Sequence, residues 1–342
     1  MKILVIGPSW VGDMVMSQSL YMTLKQQYPN SEVHVLAPSW CLPLLARMPQ
    51  VDKAITMPLG HGAFGLMTRW KLGRELAKNK YSWAIIQPNS WKSALIPLFA
   101  GIKRRTGWKG ESRYGVLNDL RSNKELFPMM VQRYVALAHD KKAMTDVTKL
   151  PAFAWPQIHV DTTQQEIAQK RLGLDSHVPA LALCPGAEFG PAKRWPEEHY
   201  SRVAKQWIEQ KGQVWIFGSK KDQTVAETIR QLLPEPLQPD CHILAGETSL
   251  TEAIDLLAAS RIVVSNDSGL MHIAAAVNTP LVAIYGSTST QYTPPLSHKV
   301  KLLHTDIECR PCFKRVCPLG HSRCLKELQP ELVNNAINQL LK

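Results

Sequence analysis

Ile262-Val-Val-Ser-Asn-Asp-Ser-Gly-Leu-Met-His-Ile-Ala-Ala-Ala276, continued by Leu281-Val-Ala-Ile-Tyr-Gly286, is the stretch around which the chain is organised. The apolar run from Ile262 to Val264 reads as a strand buried on both faces. The polar turn Ser265-Asn-Asp-Ser-Gly269 ends it, a helix of small residues starts near Leu270, and the second apolar run closes a strand–helix–strand unit. A turn beyond the carboxyl end of such a strand offers a phosphate unpaired N–H groups and the positive end of a helix dipole. Gly269 lets a ligand approach the backbone, and Ala274 to Ala276 let the helix lie tight on the sheet. The same residues also describe an ordinary corner with Asp267 or Ser268 as N-cap. At this level both readings stay open.

Outward from that unit the pattern repeats. Strand-like runs at 180–185, 213–217 and 242–244 alternate with helical periodicity at 197–210, 224–233 and 250–259. The first half alternates likewise: strands at 2–6, 32–37 and 83–88, helices at 14–27, 68–80 and 91–99. Residues 145–156 are punctuated by Pro and aromatics, and a helix at 163–172 follows. The expectation is an α/β protein of two Rossmann-like, doubly wound domains, 1–172 and 173–342, facing a central cleft. The final helix, 330–341, could pack on either domain.

The 342-residue chain is 45% hydrophobic and 20% charged, ordinary for a globular protein with room for two cores. No apolar run approaches the roughly 20 residues of a membrane span, and Met1-Lys-Ile-Leu-Val-Ile-Gly7 runs into a strand with no signal-peptide pattern. A cytoplasmic protein is expected. The net charge of +12 points to an anionic partner without choosing one. Aromatic–basic interleaving and DNA-reading motifs are missing, which ranks nucleic acid last. Oligomeric state does not follow from the residues.

Gly7-Pro-Ser-Trp-Val-Gly-Asp13-Met14 has the two glycines of a P-loop, but Asp13 and Met14 stand where the Lys and Ser/Thr should. A carboxylate there would repel a triphosphate. It reads either as a helix N-cap or as a general base for a sugar hydroxyl, although a helix N-terminus lowers its basicity. Lys193, in the loop before Pro196, is either a solvated cation or a mobile ammonium that neutralises a departing phosphate. Gly186 and Ala187 follow a strand, and Gly218 to Asp222 form another strand-end loop suited to a ribose or base edge. Arg69, Lys71, Arg74, Lys78, Lys103, Arg104, Arg105, Lys109 and Arg113 concentrate positive charge in the first half. Cys309, Cys312, Cys317 and Cys324, with His321 among them, could hold structural zinc. Their spacing departs from paired Cys-x-x-Cys, so a reduced thiol cluster is expected. His272 reads as a phosphate contact or a satisfied core histidine.

Together, Gly12-Asp13, Lys193-Arg-Trp-Pro-Glu-Glu-His-Tyr200, Thr248-Ser-Leu250 and Ser265-Asn-Asp-Ser-Gly-Leu-Met-His272 resemble the ADP-heptose:lipopolysaccharide heptosyltransferases over essentially the whole chain. The Cys-rich tail looks like the heptosyltransferase II branch. The resemblance implies a GT-B fold and inverting transfer of a heptose from ADP-heptose to the first heptose of the lipopolysaccharide inner core. It also implies an acceptor-binding first domain, a donor-binding second domain, no required cofactor, and work at the inner face of the inner membrane. It assigns Asp13 as base and Lys193 as the donor-phosphate lysine. Gly186, Ala187, Asp222, Thr248, Asp267, Ser268, Gly269 and His272 become donor contacts; separately from the resemblance, the basic patch makes Arg69 and Lys71, with Lys92 and Gly12, the expected acceptor contacts. A sugar-nucleotide epimerase of the same fold is the alternative.

Overall fold

A computed structural model describes residues 1–60 and 62–342. The chain divides into two compact units, Met1–Gln157 and Ile158–Lys342. The division falls earlier than the boundary expected at 172/173. Gln18 holds the end of the first unit through both its amide groups, Nε2 donating to the Gln157 carbonyl (2.6 Å) and Oε1 accepting from the Gln157 N–H (2.9 Å). One residue on, the Ile158 N–H donates to Ala276 O at 3.1 Å, inside the second unit.

The first unit runs β1 (Lys2–Ile6), α1 (Val11–Gln27), β2 (Glu32–Ala37), α2 (Leu42–Leu45), β3 (Lys53–Thr56), α3 (Leu66–Leu76), β4 (Trp83–Ile86), α4 (Leu95–Phe99), β5 (Arg104–Trp108), β6 (Asp119–Arg121) and α5 (Met130–Ala136). The second runs α6 (Thr162–Arg171), β7 (Ala180–Cys184), α7 (Glu197–Glu209), β8 (Gln213–Ile216), α8 (Gln223–Gln231), β9 (Cys241–Ile243), α9 (Leu250–Ala259), β10 (Ile262–Asn266), α10 (Gly269–Ala276), β11 (Leu281–Ile284), β12 (Val300–Leu303), α11 (Arg323–Lys326) and α12 (Pro330–Leu341).

Each unit holds one parallel sheet, ordered β3-β2-β1-β4-β5-β6 in the first and β12-β11-β10-β7-β8-β9 in the second. Read from its other edge, the second order repeats the first: third, second, first, fourth, fifth, sixth strand. In both sheets the order reverses between the first and fourth strands, where the loops leave a crevice at the carboxyl ends. The central strands β1 (from Ile3 on), β7 and β10 are inaccessible and mostly apolar because helices cover both faces. In the second unit Leu181, Leu183, Val264 and Ile284 pack with Trp195 and Tyr200 in one core. The last helix, α12, lays Val333, Ala336 and Ile337 on that same core, so it belongs to the second unit. The helix expected at 163–172 is α6, and it too joins that unit by packing on α9. Among the described residues no helix is long and apolar enough to cross a membrane.

Candidate functional site

The second unit's switch point lies between β7 and β10. The buried Asn266 amide joins the two loops: Nδ2 donates to Pro185 O (2.6 Å), while Oδ1 accepts from the Trp195 N–H (3.2 Å) and the Tyr200 hydroxyl (3.0 Å). One residue on, Asp267 is 5% exposed, and Lys193 Nζ stands 2.6 Å from its Oδ2. The Thr288 hydroxyl donates to the same oxygen at 2.6 Å. Lys193 is therefore anchored rather than mobile, and its ammonium also lies 4.8 Å from the Phe189 ring centre. Burial pushes the His272 imidazole down to about 4; the Asp267 carboxylate opposes this and the Lys193 ammonium adds to it. At neutral pH His272 is thus an uncharged hydrogen-bonding group.

Ser268 occupies the N-cap of α10 in extended conformation, yet its side chain makes no capping bond; its hydroxyl lies 3.3 Å from Ser265 Oγ instead. The first-turn N–H groups, starting at Gly269, are left without a side-chain cap at the positive end of the helix. This leaves the turn suited to an anion. Across the sheet, Gly186 packs directly on Asp222: a Cβ at 186 would come within 2.8 Å of the Asp222 carboxyl. Asp222 Oδ2 accepts from the Ser219 N–H (2.9 Å) and hydroxyl (2.7 Å), and Oδ1 lies 3.9 Å from Arg194 Nη2. Ala187 is buried beside them. Thr248 sits one strand further out, in the turn after β9, with Oγ1 3.4 Å from Leu244 O.

In the first unit the switch point lies between β1 and β4. The helix starts at Val11, earlier than expected, so Asp13 is a first-turn residue; Trp10 holds the N-cap position through its backbone. The capping reading of Asp13 thereby falls. Asp13 is half-buried, and Gly12 adjoins it. Arg69, expected at the acceptor, is 5% exposed, with Nε donating to Phe64 O (2.6 Å) and Nη2 to Ala63 O (3.1 Å), so it braces the loop before α3. Lys92 Nζ donates to Gly62 O of that loop (2.7 Å), while Lys71 is exposed. Part of the expected basic patch is internal, while Lys71, Arg74, Lys78, Lys103 and Lys109 stay exposed. Arg113 is fully buried, its guanidinium bonding Pro88 O (2.7 Å) and Trp108 O, and Arg105 bonds Val116 O and Ile102 O.

Residues 69–323 match the family model described as glycosyltransferase family 9 (heptosyltransferase). The chain belongs to glycosyltransferase family 9. Over its whole length it is 54% identical to lipooligosaccharide heptosyltransferase 2 of Haemophilus influenzae, covering 99% of that protein. It is 50% identical to lipopolysaccharide heptosyltransferase 2 of Escherichia coli, with 100% of the chain and 99% of the relative aligned. The solved structure of E. coli ADP-heptose LPS heptosyltransferase II superposes with a TM-score of 0.90 at 49% identity, covering 100% of this chain and 98% of that one. The family 9 chain has the GT-B fold.

Sequence reading missed Asn266 as the tie between loops, Thr288 as the second partner of Asp267, and Arg310. The Arg310 guanidinium bonds the carbonyls of Gly286 (2.6 Å), Thr305 (2.7 Å) and Thr288 (3.2 Å), fixing the loop that carries Thr288. Arg310 belongs to the Cys-rich tail, which gave no signal for this role. Cys309, Cys312, Cys317 and Cys324 are free thiols lining one small cavity with Arg310 and His321. Among the described residues no three His, Cys, Asp or Glu side chains form a group that could hold a metal ion.

Proposed function

We propose that this family 9 chain moves L-glycero-D-manno-heptose from ADP-heptose onto the first heptose of the lipopolysaccharide inner core, inverting the anomeric centre. The observation that carries the reading is the Asp267–Lys193–Thr288 cluster beside the uncapped N-terminus of α10, at the switch point of the second unit. Full-length identity to chains named heptosyltransferase 2 supports the choice of sugar and acceptor. An epimerase reading has no comparable support.

In this reading Asp13 takes the proton from the acceptor hydroxyl as that oxygen bonds to the anomeric carbon. The bond from that carbon to the diphosphate breaks, and its electron pair leaves with ADP. Lys193 and the N–H groups at Ser268 and Gly269 receive the charge that develops on the diphosphate. His272 donates or accepts a hydrogen bond as a neutral ring. Asp222 and Thr248, at the ends of β8 and β9, face the nucleoside.

The acceptor side falls to the first unit. Trp10, Trp40, Trp70 and Trp91 stand exposed in segments that follow successive strands of its sheet, with exposed Lys71 and Arg74 on α3. Amphipathic rings with basic neighbours suit a lipid-anchored, anionic acceptor and a peripheral position at the inner membrane surface. Calorimetric titration with ADP, UDP and GDP, in the presence of EDTA, tests the donor half. ADP is expected to bind selectively without added metal; equal or absent binding of all three would remove the reading.

A further inference from the structure

We propose that Arg315 is a second cation of the donor diphosphate site, carried over Phe189 so that its guanidinium meets the phosphates together with Lys193; this rests on the donor reading above. A departing nucleoside diphosphate carries more than one negative charge. Lys193 alone is a poor match for it, because its ammonium already pairs at 2.6 Å with the buried Asp267 carboxylate.

Three other cations nearby are engaged. Arg310 is fixed on three carbonyls, Arg194 faces Asp222 at 3.9 Å, and Lys221 pairs with Glu188 at 3.5 Å. Arg315 differs. It is exposed, and among the described residues no carboxylate lies within ion-pair distance of it. Its guanidinium carbon lies 5.6 Å from the centre of the Phe189 ring, the same ring that Lys193 Nζ approaches to 4.8 Å. Two cations gathered on one aromatic platform repel one another until an anion joins them.

The backbone fixes this arrangement while the side chain keeps its freedom. The Ala192 N–H, next to Lys193, donates to Arg315 O at 3.1 Å. Gly190 has φ +149°, and a Cβ there would come within 2.4 Å of Arg315 O, so glycine allows the two segments to touch. Two residues before Arg315, the Phe313 N–H donates to Ser287 O at 2.8 Å, beside Thr288. A planar guanidinium so placed can offer two parallel N–H groups to phosphate oxygens, which an ammonium cannot.

The test uses the full chain, titrated with ADP and with adenosine at low and raised salt. Arg315→Ala is expected to weaken ADP about tenfold to a hundredfold, the range for losing charge-assisted hydrogen bonds, and to flatten the salt dependence. Adenosine affinity should stay within about twofold, and Arg315→Lys should recover part of the loss. Phe189→Leu, which removes the aromatic face but keeps apolar bulk, should weaken ADP by a few-fold. Unfolding midpoints of Arg315→Ala and Arg315→Gln report on the fold. ADP binding within about twofold of wild type in both would overturn the inference and leave the donor site standing, as would equal losses of ADP and adenosine. Failure of the wild-type chain to bind ADP would remove the donor reading, and this inference with it.

Discussion

Asp267 sits almost wholly out of water, and its charge is tolerable because Lys193 and Thr288 answer it at 2.6 Å each. Removing the ammonium leaves a buried carboxylate uncompensated, so Lys193→Ala should lose about 3–5 kcal/mol of stability as well as ADP affinity. Chemical denaturation of Lys193→Ala and of Lys193→Ala/Asp267→Asn separates the two effects: the double variant should regain most of the stability but not the ADP binding. His272 gives a pH signature. Its folded-state pKa near 4 lies below the ordinary value of 6.5, so the unfolded chain binds the extra proton first. The folded state should lose up to about 3 kcal/mol as pH falls from 6.5 to 4, the cost of keeping a buried ring neutral. Denaturation midpoints of wild type and His272→Gln across that window check it; equal slopes in the two proteins would sink the assignment.

At the scale of elements, β10 matters through its last residue. Asn266 makes three hydrogen bonds to the segments after β7 and at the start of α7. Asn266→Ala strands the Pro185 carbonyl and the Trp195 N–H, and should cost about 1–3 kcal/mol along with weaker ADP binding, seen as a lower unfolding midpoint and a raised Kd. Elements with continuous apolar runs or clear helical periodicity were legible from the chain alone. The helices α9 and α12 begin and end where periodicity puts them, and α10 starts one residue before the expected position. The edge strands β3 and β12 were not legible, because they are short and partly exposed, without the apolar run that marks the central strands. The start of α1 was misjudged because Trp10 offers no capping side chain to announce it. Within the site, Asp267 and Lys193 could each be suspected from their loops. Their pairing spans 74 positions and depends on β7 lying beside β10, which no local pattern encodes.

At the scale of the molecule, the two units repeat one strand order, and each presents a functional candidate at its own switch point: Asp13 in the first, Asp267 with Lys193 in the second. The proposed base and the proposed donor anchor therefore belong to separately packed cores, and their substitutions should part company in kinetics. Asp13→Asn is expected to lower kcat by about 10²–10⁴-fold, the range for a lost general base, while ADP affinity stays within about twofold. Turnover near wild type would reduce Asp13 to a helix-end charge. The most direct measurement is ADP release from ADP-heptose by the wild-type chain, with a lipopolysaccharide acceptor ending in its first heptose, with one lacking that heptose, and with none. Release is expected only with the first acceptor, matched mole for mole by heptose added to it. Release without acceptor, or equal transfer to the heptose-free core, would contradict it.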